Sequence, residues 1–259
     1  MTKLSITTEL TYDLPALTDV LLQVEAAAIP EQTIERAHIH VTEGEHFARV
    51  PGHDTIGERI WLRLSGALEV SYQATIAINR ICADCAELAA TPPHLLPGEA
   101  VDYLMPSRYC PSDRFQSLVE TEFGPLQGGA RVIAMRDWIN ANLSYELGSS
   151  TAATGALETY VERRGVCRDF AHLLISMTRA SAIPARFASV YGLGVEPQDF
   201  HAVAEVFLDG AWYLIDATGM SKGEDMAKIA IGRDAADVSF LTSYGAAILV
   251  NQSVNVRAA

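Results

Sequence analysis

Two hydrophobic periods divide the chain. In residues 1–90, short apolar-rich runs are separated by turn signals. Within Leu68–Ile78, the apolar Val70, Tyr72, Ala74, Ile76 and Ile78 alternate with Ser71, Gln73 and Thr75, the period of a half-buried strand. Ser5–Tyr12, Ile34–Val41, Phe47–Val50 and Ile60–Leu64 read the same way, with Pro51-Gly52 and Ser65-Gly66 as turns. Pro15–Ala28 reads as a helical insertion. Strands at this spacing suggest a β-sandwich or a meander. Residues 91–115 carry Pro92, Pro93, Pro97, Pro106 and Pro111, a density that resists regular structure, so they are expected to form a linker.

From residue 116 the period becomes helical. Ala130–Leu143 places Val132, Ile133, Met135, Trp138, Ile139 and Leu143 on an amphipathic pattern, and Gly155–Arg163 reads as a short helix. A third helix shows Phe170, Leu173, Leu174, Met177 and Ala180 at i, i+3, i+4, i+7 spacing and ends near Ser181–Pro184. Strands follow at Ala185–Tyr191, His201–Leu208 and Ala211–Asp216. Met226–Ile231 is next, then a short helix or loop at Ala235–Thr242, and a strand at Ala247–Val256. Helices followed by consecutive antiparallel strands give an α+β order. The expected division is a β-rich domain over 1–90, a linker over 91–115 and an α+β core over 116–259.

The chain has 259 residues, 49% of them hydrophobic, and a formal net charge of −13, enough to bury a sizeable core. An acidic balance argues against nucleic acid or an anionic membrane as partner, since both need a basic footprint. Met1–Ile6 shows no basic segment leading into an apolar run, and no apolar stretch reaches the ~18 residues of a membrane span. A cytoplasmic location is the expectation. Four cysteines, Cys82, Cys85, Cys110 and Cys167, do not make a disulfide scaffold.

One of them stands out. Cys167 follows Gly165, read as permitting a turn, and opens the third helix. Unpaired N–H groups and the macrodipole favour negative charge there, so a thiolate is favoured. The plain alternative is a small buried apolar cysteine. The hairpin downstream adds weight. Asp209-Gly210 is a favoured two-residue turn between His201–Leu208 and Ala211–Asp216. Phe207 then faces Trp212, Glu205 faces Leu214 and Val203 faces Asp216. His201 and Asp216 fall on one face as diagonal neighbours, roughly 7–8 Å apart at the backbone, whereas a three-residue turn would separate them. A nucleophile at a helix end, a base on a strand and a carboxylate orienting that base form a catalytic triad.

Three blocks around these residues resemble the bacterial transglutaminase-like superfamily: Arg164–His172, Asp199–Val206 and Gly210–Thr218. Ile231–Val238 is similar to a downstream block of its bacterial members. Asp54–Arg59 resembles their amino-terminal β-domain, although the family more often has Gly-Asn where Gly57-Glu58 stands. The resemblance implies a papain-like core, helices packed on an antiparallel sheet, preceded by a β-sandwich-like domain. It implies catalytic Cys167, His201 and Asp216, which cleave or transfer a peptide or isopeptide amide through a thioester, with no metal and no organic cofactor. Hydrolysis is favoured over cross-linking, because water resolves the thioester without a second binding site. The substrate would be a peptide or protein. A catalytically silent fold that binds a peptide or partner is the alternative. Tyr145 resembles a tyrosine that the family often has after its first core helix.

Other candidates read more plainly. His172, five residues after Cys167, points about 140° away on the helix and is expected to be structural. Arg168 could act on the thiol or pair with a carboxylate, and Asp169 suits the helix N-terminus. Cys82 and Cys85 have metal or redox spacing, but a zinc site needs a second pair. His38, His40, His46 and His53 lie close in sequence without a metal motif, and Trp212 and Tyr213 read as packing residues.

Overall fold

The computed structural model describes residues 2–259. Four strands come first: β1 (Lys3–Leu22), β2 (Gln32–Val41), β3 (His46–Pro51) and β4 (Glu58–Ile78). β1 and β4 are long antiparallel neighbours at the centre of a six-stranded sheet. The alternation explains their pairing. In β1, Leu4, Ile6, Thr8, Leu10, Tyr12 and Leu14 are buried, and then Thr18, Val20 and Leu22. The expected helix at Pro15–Ala28 is therefore a strand in its first part. Leu17, Val20, Leu21 and Val24 imitate helical spacing, but pairing with β4 overrides it. A bulge between Leu14 and Thr18 moves the register from Leu14↔Gly66 to Thr18↔Leu64. It holds an even number of extra residues, so the same face stays buried on both sides. The expected sandwich or meander is one continuous sheet whose two halves share β1 and β4.

The proline-rich stretch is packed rather than loose. It contains α1 (Gly98–Val101) between short 3-10 turns, and it buries Ala100, Tyr103, Cys110 and Phe115. Arg179 fastens it by donating to the Met105 carbonyl (3.0 Å) and to Ser107 Oγ (3.1 Å). The prolines keep the regular pieces short, but they do not exclude burial.

The helical part comprises α2 (Gln116–Phe123), α3 (Gly128–Asn142), a two-residue strand β5 (Ser144–Tyr145), α4 (Ala156–Glu162), its parallel partner β6 (Arg164–Gly165) and α5 (Cys167–Ala180). α5 is buried along most of its length and lies against the second sheet. That sheet contains β7 (Ala185–Gly192), β8 (His201–Leu208), β9 (Ala211–Ile215) and β10 (Met226–Gly232), in the order β10-β7-β8-β9, all antiparallel. Every residue of β8 is buried, so neither face of the strand meets solvent.

β11 (Leu241–Ser243) and β12 (Ile248–Ala258) leave this core and pair with β1. The division of 116–259 as a self-contained core is thus revised: its last two strands belong to the first sheet. The two parts also interlock. Tyr191 of β7 donates to the Val24 carbonyl (2.7 Å) and accepts from Thr8 (3.0 Å). The Gln32 amide brackets the Lys228 backbone with two 2.8 Å bonds. One hydrophobic cluster runs through both parts. Among the described residues, no helix is long and apolar enough to cross a membrane.

Candidate active site

Cys167 is the first residue of α5. The Asp169 carboxylate, fully buried, accepts from the Val166 N–H (2.9 Å) and from Ser150 (2.9 Å). This closes the helix N-terminus, as a residue at the third position does in a capping box. Gly165 is required by space rather than by the left-handed backbone expected of a turn: a Cβ there would lie 2.7 Å from Asp169 Cβ. The bridge β5–β6 sets Tyr145 beside Gly165. The Tyr145 hydroxyl lies close enough to the Cys167 side chain and backbone N–H to be perturbed by both; burial and then Cys167 raise its pKa above the ordinary phenol value.

The hairpin has the register that its two-residue turn requires. Phe207 pairs with Trp212 and Glu205 with Leu214, and Asp209 and Gly210 both have positive φ (46° and 79°), as a type I′ turn demands. At its far end, His201 Nε2 meets Asp216 Oδ2 at 3.0 Å, with both side chains buried. Asp216 also accepts from Thr218 N–H (2.9 Å), Thr218 Oγ1 (2.7 Å), Met220 N–H (3.1 Å) and Ser221 N–H (3.0 Å). Burial opposes its charge, but the bond to His201 and its charge, and then the bonds from Thr218 and Ser221, outweigh burial and hold its carboxyl below the usual range. Thr218 was not foreseen, although a threonine two residues after an aspartate is a recognisable local hydrogen-bonding pattern.

His201 Nδ1 is buried and has no hydrogen-bond partner. Burial disfavours the imidazolium, yet the bond to Asp216 and the contact with Cys167 prevail and raise the His201 pKa to about 10. The Cys167 thiol lies 4.0 Å from the Phe200 carbonyl. Cys167 and His201 border one cavity of about 300 Å³, walled by Phe187, Phe200 and Phe240. The three residues singled out from the sequence are therefore brought together.

The neighbours take other roles. His172 is fully buried, accepts from the Ala235 N–H at 3.1 Å, and stacks on Tyr109. Burial, then Arg168 and Arg179, hold its pKa well below 6.5, so it is a neutral structural group. Arg168 donates to Thr151 O (2.8 Å), Asp169 and Ser150, not to the thiol. Cys82 is exposed and Cys85 half-buried, and burial raises both thiols. Among the described residues, no group of three or more His, Cys, Asp or Glu side chains is arranged to hold a metal ion. Two further features escaped sequence reasoning. One is a buried charge cluster in which Glu205 holds Lys228 and Arg186 (2.6 Å), while Lys228 also reaches Glu31 (3.1 Å). The other is the cavity wall formed by residues 235–240.

The family profile of the transglutaminase-like superfamily core matches residues 116–217. The crystal structure of a candidate cysteine protease from Cytophaga hutchinsonii is 33% identical and superposes with a TM-score of 0.91, covering 99% of this chain and 90% of that one. An uncharacterized protein of Mycobacterium leprae is 30% identical over 117 residues, 42% of each protein. An uncharacterized protein of Mycobacterium tuberculosis is 40% identical over 73 residues, 28% of this chain and 22% of that protein. The aligned part thus spans less than half the length of these curated relatives. A profile that covers α2 to β9 and a full-length structural match place the same fold around Cys167, and the chain belongs to the transglutaminase-like superfamily.

Proposed function

We propose that the protein is a cysteine-dependent acyl transferase or hydrolase that acts on peptide or isopeptide amides. Cys167 is the nucleophile, His201 the acid and base, and Asp216 the group that orients His201. The observation that carries this reading is the state of the His201 ring. One nitrogen is fixed by a buried carboxylate, while the other is unpartnered in a cavity bordered by a cysteine. His172 also has a buried, unpartnered Nδ1, but its ring lies against Tyr109 and Phe187; at His201 a cysteine meets the ring on one side and a carboxylate on the other.

The steps follow from these positions. The Cys167 thiolate attacks the amide carbonyl carbon, a C–S bond forms, and the carbonyl electrons move to oxygen. The Cys167 backbone N–H and the Tyr145 hydroxyl are the donors for that oxyanion. Collapse breaks the C–N bond, and the His201 imidazolium gives its proton to the departing amine. Neutral His201 then takes a proton from water as the oxygen attacks the thioester. Collapse releases the acid and restores the thiolate and the imidazolium. An amine can replace water in the same step. Hydrolysis is favoured because it needs no second binding site.

Mass analysis of a peptide library incubated with wild type or Cys167→Ala, with and without an amine acceptor, tests the reading. Cys167-dependent gain of water is the expected result. Gain of the amine in preference to water would make the protein a transferase. Peptide retention without any covalent change would favour a binding protein.

A further inference from the structure

The downstream block that resembles the family, Ile231–Val238, takes no part in the steps above, yet it is held with care. The Asp234 carboxylate accepts from the Tyr109 N–H (2.8 Å), Arg233 forms an ion pair with Asp237 (2.8 Å), and Arg179 donates to the Arg233 carbonyl (2.6 Å). His172 anchors Ala235 (3.1 Å). These bonds fix one wall of the cavity beside Cys167. Phe240 stacks on Phe200 with ring centroids 4.6 Å apart and planes within 7°, and Val238 and Ala235 face the same space as Phe187. No carboxylate lines the cavity. Its arginine, Arg168, turns Nε and Nη2 toward Thr151, Asp169 and Ser150. A cationic substrate group would find no carboxylate partner there, and an anionic one would compete with Cys167 for His201.

Resting on the proposed nucleophile, we infer that this cavity is the pocket for the acyl side of the substrate and takes an uncharged aromatic or branched aliphatic side chain next to the scissile carbonyl. The acyl group stays joined to Cys167 through both halves of the reaction, so a pocket bordering the thiol serves each of them.

N-acetyl aminoacyl chloromethyl ketones with Phe, Gly, Lys and Asp side chains test this. Each forms a thioether with the cysteine and releases chloride, and the rate is read from the intact mass of the full chain. The Phe reagent should modify Cys167 about tenfold faster than the Gly reagent, or more, with the Lys and Asp reagents no faster than Gly. Ser189, half-buried on the cavity wall, and Ala235 provide variants. Ser189→Asp should reduce the Phe-to-Gly ratio and favour Lys, and Ala235→Trp should reduce the ratio by filling the space. Both are checked for folding by circular dichroism. Equal rates for all four reagents, or an unchanged ratio in either folded variant, would overturn the pocket. Iodoacetamide separates the two readings: wild-type Cys167 that resists it removes the nucleophile, whereas ready reaction without side-chain preference removes only the pocket.

Discussion

The two sheets of this protein handle charge in opposite ways. In the six-stranded sheet, alternate residues of β1 and β4 face the core, and ion pairs such as Arg63–Asp19 lie on the solvent side with both side chains nearly half exposed. In the four-stranded sheet the central strands are buried on both faces, and Glu205, Lys228, Arg186, His201 and Asp216 lie inside. A surface pair can be lost at little cost, because water replaces the partner. A buried charge has no such substitute, so its neighbours must satisfy it. Within the four strands this rule holds with one exception: His201 Nδ1 is the buried side-chain polar atom left without a partner. The exception lies beside Cys167, where the proposed chemistry requires a free nitrogen.

The largest effect should come from breaking the chemical side of this contrast. Asp216→Asn is expected to lower turnover of a peptide found in the library about 10⁴-fold, as loss of the orienting carboxylate does in related triads; steady-state kinetics measure it. Next is the structural side. Glu205→Gln leaves Lys228 and Arg186 buried without their carboxylate and should cost about 3–5 kcal/mol in urea unfolding. Tyr145→Phe removes the proposed second oxyanion donor and should lower the catalytic rate about 10²-fold with little change in unfolding. A turnover unaffected by this change would leave Cys167 N–H without the partner assigned to it. Asp19→Asn, on the exposed pair, should cost less than about 1 kcal/mol. A loss comparable to that of Glu205→Gln would erase the distinction between the sheets.

The His201 pKa carries a sign that can be checked. Its folded-state value is raised to about 10 from 6.5. The stability it contributes is therefore full below the ordinary pKa and is lost as pH rises through about 10. Wild type should lose stability relative to His201→Asn across that window, followed by urea unfolding at stepped pH. Removing the Cys167 side chain with Cys167→Ala should bring the imidazole titration down, as seen by NMR.

The same contrast decides what could be read from the sequence. Asp209-Gly210 fixes the hairpin register by local turn chemistry, so the common face of His201 and Asp216 is legible without a structure. The 3.6-residue spacing after Cys167 locates α5 equally well. Partners chosen at long range are not legible. β12 carries no local mark that it joins β1 rather than the core, and Pro15 disguises a bulged strand as the start of a helix. Tyr145 reaches Cys167 only through the two-residue bridge β5–β6. Glu205 reads as a polar interruption in an apolar strand until Lys228 and Arg186 arrive from β10 and β7.

The central claim is that His201 and Asp216 activate Cys167, and the four cysteines allow a direct test. Exposure alone favours Cys82, which lies open to solvent, over the half-buried Cys167. Iodoacetamide at near-neutral pH, followed by peptide mapping, ranks their rates. The account predicts that Cys167 reacts first, that Cys167→Ala removes this labelling and that Cys82→Ala leaves it. Labelling of Cys82 as fast as Cys167 or faster would contradict it.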